Sequence, residues 1–136
     1  MLSEFRFHHI GIAVFDIDVT AELYVDAGYR KTDNVTDTLQ NIKICFLEKE
    51  GMPMIELLAA VDDFSPVNRI LKNVGVSPYH VCYTVSDIEN AVKQLRKKRF
   101  LIISKPCEAC ALGNRRVCFL FHKDVGLIEL LEETKR

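Results

Sequence analysis

Four residues of this chain pair a chemically versatile side chain with an apolar strand context: His9 in FHHIGIAV, Glu56 in MIELL, His80 in YHVCYTV and Glu129 in LIELL. Alternate residues of a strand share one sheet face, so His9 points with Gly11 and Ala13 while Ile10, Ile12 and Val14 point the other way. His80 likewise goes with Cys82 and Thr84, opposite Val81, Tyr83 and Val85. Each glutamate faces away from its two apolar neighbours. An uncompensated buried carboxylate is costly. Two imidazoles and two carboxylates converging on a divalent cation would remove that cost, and this nitrogen and oxygen donor set suits zinc, cobalt, nickel, iron or manganese. Four protein ligands leave coordination positions open for water or substrate in a six-coordinate metal.

A single strand histidine is more often a hydrogen-bonded structural residue, and a single glutamate can sit at a sheet edge. Internal repetition argues against that reading here. HIGIAVFDI runs parallel to HVCYTVSDI at an offset of 71 residues, matching His9 with His80, Val14 with Val85, Asp16 with Asp87 and Ile17 with Ile88. Cys45-Phe46-Leu47 matches Cys118-Phe119-Leu120, and Ile55-Glu56-Leu57-Leu58 matches Ile128-Glu129-Leu130-Leu131, both at an offset of 73. The histidines and glutamates therefore recur as a set.

The elements that must position them follow from the same repeat. Each copy reads as strand, helix, then three strands. DIDVTAELYVDAGY is a helical stretch ending near Gly28. SDIENAVKQLRKKRF carries a capping-box pattern from Ser86 to Glu89, with Ile88, Ala91, Val92 and Leu95 on one face. The basic residues at 93 and 96–99 form its solvated side. Between the copies, Ser65 and Pro66 open a short connector helix that Gly75 ends. The expected organisation is an N-terminal βαβββ module over 5–62, a connector over 63–77 and a C-terminal βαβββ module over 78–133, in the α+β class.

Composition limits the function classes. The 136 residues are 49% hydrophobic and 27% charged, enough for a buried core. With 18 basic against 19 acidic residues, the net charge of −1 provides no electrostatic basis for a nucleic-acid or membrane partner. No segment has the apolar length of a signal peptide core or a membrane span, so a cytoplasmic location is expected. Five scattered cysteines fit reduced thiols, with Cys45, Cys82 and Cys118 as small hydrophobes in strands. Cys107 and Cys110 have C-x-x-C spacing but lack a second ligand pair, and read as a loop with incidental thiols. His8 is on the opposite parity from His9, and His122 falls in a loop-like stretch, so neither is read as a ligand. Arg115 and Arg116 in GNRRV are candidates for binding an anionic group of a substrate.

The pattern resembles the vicinal oxygen chelate superfamily, which includes glyoxalase I and methylmalonyl-CoA epimerase, over nearly the whole chain. HHIGIAV, IELLAAVDDFSP, YHVCYTVSDI, GNRRVCFL and GLIELLE resemble successive motifs of the epimerase family in order. The resemblance implies two tandem βαβββ modules forming an open, curved mixed sheet around a divalent metal, with His9, Glu56, His80 and Glu129 as ligands. It also implies a homodimer and chemistry through a metal-stabilised enolate, with Glu129 and Glu56 moving the proton. The expected reaction is epimerisation of an acyl-CoA or related thioester. The alternatives are a lactoylglutathione lyase-like isomerase acting on a hemithioacetal and a non-catalytic binding protein of the bleomycin-resistance type. One departure stands out. Where the epimerase pattern places an acid before the strand IKICFL, this chain has Leu39, which cannot transfer a proton.

Overall fold

Both repeats fold as their apolar periodicities require. The computed structural model describes residues 2–134. The first repeat comprises β1 (Arg6–Ala13), α1 (Ile17–Asp26), β2 (Arg30–Lys31), β3 (Val35–Asp37), β4 (Ile42–Glu48) and β5 (Ile55–Ala60). Helix α2 (Val67–Asn73) follows. The second repeat comprises β6 (Ser77–Val85), α3 (Ile88–Lys97), β7 (Leu101–Ile102), β8 (Cys107–Ala109), β9 (Arg115–His122) and β10 (Gly126–Glu132). This is an α+β fold with ten strands and three α-helices among the described residues. None of these helices is long and apolar enough to cross a membrane.

Each repeat builds a mixed sheet of the same topology. In the first, β1 runs parallel to β5, which is antiparallel to β4. In the second, β6 runs parallel to β10, which is antiparallel to β9. The outer strand, expected as one piece in each repeat, is broken in two: β2 and β3 both pair with β4, and β7 and β8 both pair with β9. A hydroxyl side chain occupies each break. Thr32 donates its N–H to the Phe46 carbonyl at 2.9 Å, while Phe46 N–H donates to Thr32 Oγ1 at 2.8 Å. Ser104 N–H donates to the Phe119 carbonyl at 3.3 Å, and Phe119 N–H donates to Ser104 Oγ at 3.1 Å. The hydroxyl replaces a backbone carbonyl as acceptor, so the ladder is interrupted without leaving a donor unsatisfied.

Two compact units result among the described residues, one over residues 9–79 and one joining residues 2–8 to residues 80–134. The first has a core of Val14, Ile17, Ala21, Cys45, Leu47, Leu57 and Ala59 between α1 and the sheet. In the second, Ile88, Ala91 and Leu95 of α3 pack on Val85, Cys118, Leu120, Ile128 and Leu130. Leu2 and Phe5 pack against that core, with the Phe5 ring 5.9 Å from that of Tyr83. In both units the bulky strand residues go to the helix side, which leaves His9 and His80 on the other face.

Local chemistry sets the helix ends. Asp16 accepts from the N–H groups of Asp18 and Val19 at 2.9 and 3.2 Å, capping α1. The equivalent cap of α3 is Asp87, which accepts from Asn90 N–H at 3.0 Å; it displaces the expected Ser86 because Asp87 is the last residue with extended backbone. Ser65 does not cap α2. Its hydroxyl instead accepts from Val61 and Asp62 N–H at 2.8 and 3.2 Å. After α1 the chain turns through Gly28 at φ 95°, whereas after α3 Arg99 adopts φ 69°, a left-handed conformation that disfavours a side chain. The helices also differ outwardly: Phe15 just before α1 and Val19 and Leu23 along it are exposed, and their repeat equivalents near α3 are Ser86, Asn90 and Gln94.

Candidate metal centre

Strand register brings each predicted histidine to its own repeat's glutamate. Gly11 is opposite Glu56 and Cys82 is opposite Glu129, so each histidine lies two residues before its glutamate's partner, on the same face. His9 Nε2 is 3.4 Å from Glu56 Oε1, and His80 Nε2 is 3.2 Å from Glu129 Oε1. All four residues are buried, none more than 3% exposed. The pairs come from separate stretches of chain and agree in register, atoms and burial.

Burying a carboxylate and an imidazole together satisfies part of the polarity of each, although such a pair seldom adds net stability over apolar packing. Each pair presents one imidazole nitrogen and one carboxylate oxygen, donors that suit a divalent transition ion. The residues therefore fit the metal implied by the sequence resemblance.

Two ring partners were not foreseen. The Phe46 ring meets that of His9 edge-on at 5.5 Å and 76°, and the Phe119 ring meets that of His80 at 5.3 Å and 86°. These phenylalanines lie directly across from Glu56 and Glu129 in the antiparallel register. Their match in the repeat was visible in the sequence, but their contact with the histidines depends on register across strands.

The remaining candidates separate by strand parity. Arg115 shares its face with Phe119 and Glu129, and its Nε donates to the Leu112 carbonyl at 3.2 Å. Arg116 is on the helix side, bonded to Glu89 of α3 and, at 2.6 Å, to Glu132. Hydrogen bonds to Glu89 and then to Glu132 raise its pKa further and hold the guanidinium charged. Leu39 is 71% exposed in the β3–β4 turn. His122 ends β9 instead of lying in a loop, and its ring is 4.9 Å from that of Phe100. Cys107 is half-buried in β8, whereas Cys110 is exposed at the start of a 3-10 turn. Burial, followed by the Glu129 charge, pushes the Cys118 thiol up to about 12.

Comparison with known proteins gives this geometry a context. Residues 8–119 match the family described as Glyoxalase/Bleomycin resistance protein/Dioxygenase superfamily. The chain is 32% identical over 129 residues to the mitochondrial methylmalonyl-CoA epimerase of Mus musculus, covering 92% of this chain and 71% of that protein. It is 27% identical to an ethylmalonyl-CoA/methylmalonyl-CoA epimerase of Cereibacter sphaeroides, covering 92% and 96% of the two chains. The crystal structure of methylmalonyl-CoA epimerase from Mycobacterium tuberculosis superposes with a TM-score of 0.84 at 29% identity, covering 99% of this chain and 94% of that one. The chain therefore belongs to the glyoxalase/bleomycin resistance protein/dioxygenase superfamily and, within it, is an enzyme of the methylmalonyl-CoA epimerase family.

Proposed function

We propose that His9, Glu56, His80 and Glu129, supplied by the two modules over 5–62 and 78–133, hold one divalent ion, and that the enzyme epimerises the α-carbon of a methylmalonyl-type acyl-CoA thioester. The observation that carries this reading is the duplicated buried pair, with Nε2–Oε1 distances of 3.4 and 3.2 Å at the same strand register. Zinc, cobalt, nickel and manganese all suit the donor set. When bound, such an ion supplies Lewis-acid polarisation of a substrate oxygen. The protein's own part is proton transfer and positioning. Glu129 and Glu56 are the carboxylates available to take a proton from the α-carbon and return it. Arg115, on the Glu129 face, is the candidate contact for a substrate anion, whereas Arg116 is engaged by Glu89 and Glu132.

The absence of an acid at Leu39 favours a second reading, lactoylglutathione lyase-like isomerisation of a hemithioacetal, in which the ligand carboxylates do all the proton transfer. The two are separated by following α-proton exchange of methylmalonyl-CoA in deuterated water by NMR, beside conversion of a methylglyoxal–glutathione hemithioacetal. Exchange with inversion supports the epimerase. Hemithioacetal turnover without α-exchange moves the assignment to the isomerase, and inertness toward both rejects the proposal. The exposed stripe of Phe15, Val19 and Leu23 on α1 supports a homodimer, because the fold itself tolerates Ser86, Asn90 and Gln94 at the equivalent positions. The buried strand thiols Cys45 and Cys118 fit a reducing compartment, the cytoplasm.

A further inference from the structure

A strand fixes which face a histidine points to, but not the rotation of its ring, since the imidazole χ2 is broad and roughly two-fold. Something else must set the plane of the ring, and with it the direction in which Nε2 is presented to the glutamate. In both repeats a phenylalanine ring lies edge-on to the imidazole, at 5.5 Å for His9 and 5.3 Å for His80. Each phenylalanine is itself held at the break in the outer strand, Phe46 by Thr32 and Phe119 by Ser104. Each hydroxyl residue binds both the N–H and the carbonyl of its phenylalanine, so both polar groups of the backbone that carries the ring are held by one neighbour.

From this arrangement we infer that Phe46 and Phe119 are positioning residues, pinned by Thr32 and Ser104, that hold the planes of the two imidazoles whose Nε2 atoms face Glu56 and Glu129. The inference rests on the metal-site reading above and adds a reason for the broken outer strand. Repetition provides the control. Two different hydroxyl residues, threonine in one repeat and serine in the other, bond the N–H and carbonyl of the equivalent phenylalanine, the Phe119 carbonyl also accepting from Ile103 N–H at 2.8 Å. Edge-to-face ring pairs at this separation carry a specific preference beyond area burial, and groups that orient a ligand influence metal affinity from outside the coordination shell.

The test measures cobalt binding by competition with a chromophoric chelator, together with the cobalt absorption spectrum, in the full-length protein. Phe119→Leu is expected to weaken affinity about two- to tenfold and alter the spectrum, while Phe119→Tyr, which keeps the ring, restores both. Ser104→Ala is expected to weaken affinity in the same direction, and Ser104→Thr, the residue type of the other repeat, leaves it unchanged. Should Phe119→Leu fail to fold, the two Ser104 variants decide the matter alone. Wild-type protein that binds cobalt, with unchanged affinity and spectrum in every folded variant, overturns the positioning role and leaves the metal site standing. Wild-type protein that binds no cobalt overturns both.

Discussion

Replacing the His80–Glu129 pair with apolar residues separates a functional site from a structural ion pair. Both side chains are buried and 3.2 Å apart. In such a place the desolvation penalty tends to exceed the attraction, and well-packed apolar replacements of similar volume are often neutral or stabilising by about 1–4 kcal/mol. The double variant His80→Leu, Glu129→Met is therefore expected to match or exceed wild type in stability when both are metal-free. For a chain of 136 residues each kcal/mol moves Tm by about 3–4 °C, so any gain is at most about 16 °C. Removing only one partner acts oppositely. His80→Ala leaves the Glu129 carboxylate buried without its imidazole and costs about 3–5 kcal/mol. Urea unfolding in the presence of a chelator measures each effect. Adding metal at about 100 times its Kd then stabilises wild type by about 2.7 kcal/mol and leaves the double variant unchanged. A metal-free double variant more than about 1 kcal/mol less stable than wild type would refute the reasoning, because the pair would then be serving the fold.

Four further outcomes follow from other parts of the molecule. Burial raises the Cys118 thiol from 9.0 to about 12, so above pH 9 the unfolded state loses this proton first; stability is complete below that value and falls as pH rises toward 12. Thiol labelling at pH 8 should modify exposed Cys110 while sparing Cys118 until the protein unfolds, and rapid native labelling of Cys118 would contradict its burial. Arg99 holds a left-handed φ of 69° where the first repeat has Gly28, so Arg99→Gly should stabilise by up to about 1 kcal/mol; a loss in urea unfolding would show that the arginine side chain outweighs the backbone strain. Leu23→Glu, on the exposed stripe of α1, should shift sedimentation toward monomer while circular dichroism shows the fold retained, and an unchanged mass would place any dimer contact elsewhere.

The burial and pairing of the four residues were legible because they depend on parity and repetition. His9, Glu56, His80 and Glu129 occur at alternating positions in long strands, and the two sequence copies fix their correspondence. The same parity separates Arg115 from Arg116, although both were first considered as anion contacts. What escaped the sequence depends on relations across strands. Pieces as short as β2 and β7 carry no periodicity, and nothing local indicates that Thr32 or Ser104 interrupts a strand by bonding to Phe46 or Phe119. The ring contacts of His9 and His80 follow from that register. The cap of α3 moved from Ser86 to Asp87 because both residue types cap well and the backbone decides between them.

Elemental analysis of protein purified without an affinity metal tests the central claim most directly, with Glu129→Gln measured alongside. The expected result is near one divalent transition ion per chain in wild type and a clear fall in the variant, with circular dichroism showing both folded. Wild-type protein that stays metal-free after incubation with zinc, cobalt, nickel and manganese in turn would contradict the claim that the two buried His–Glu pairs form a metal centre.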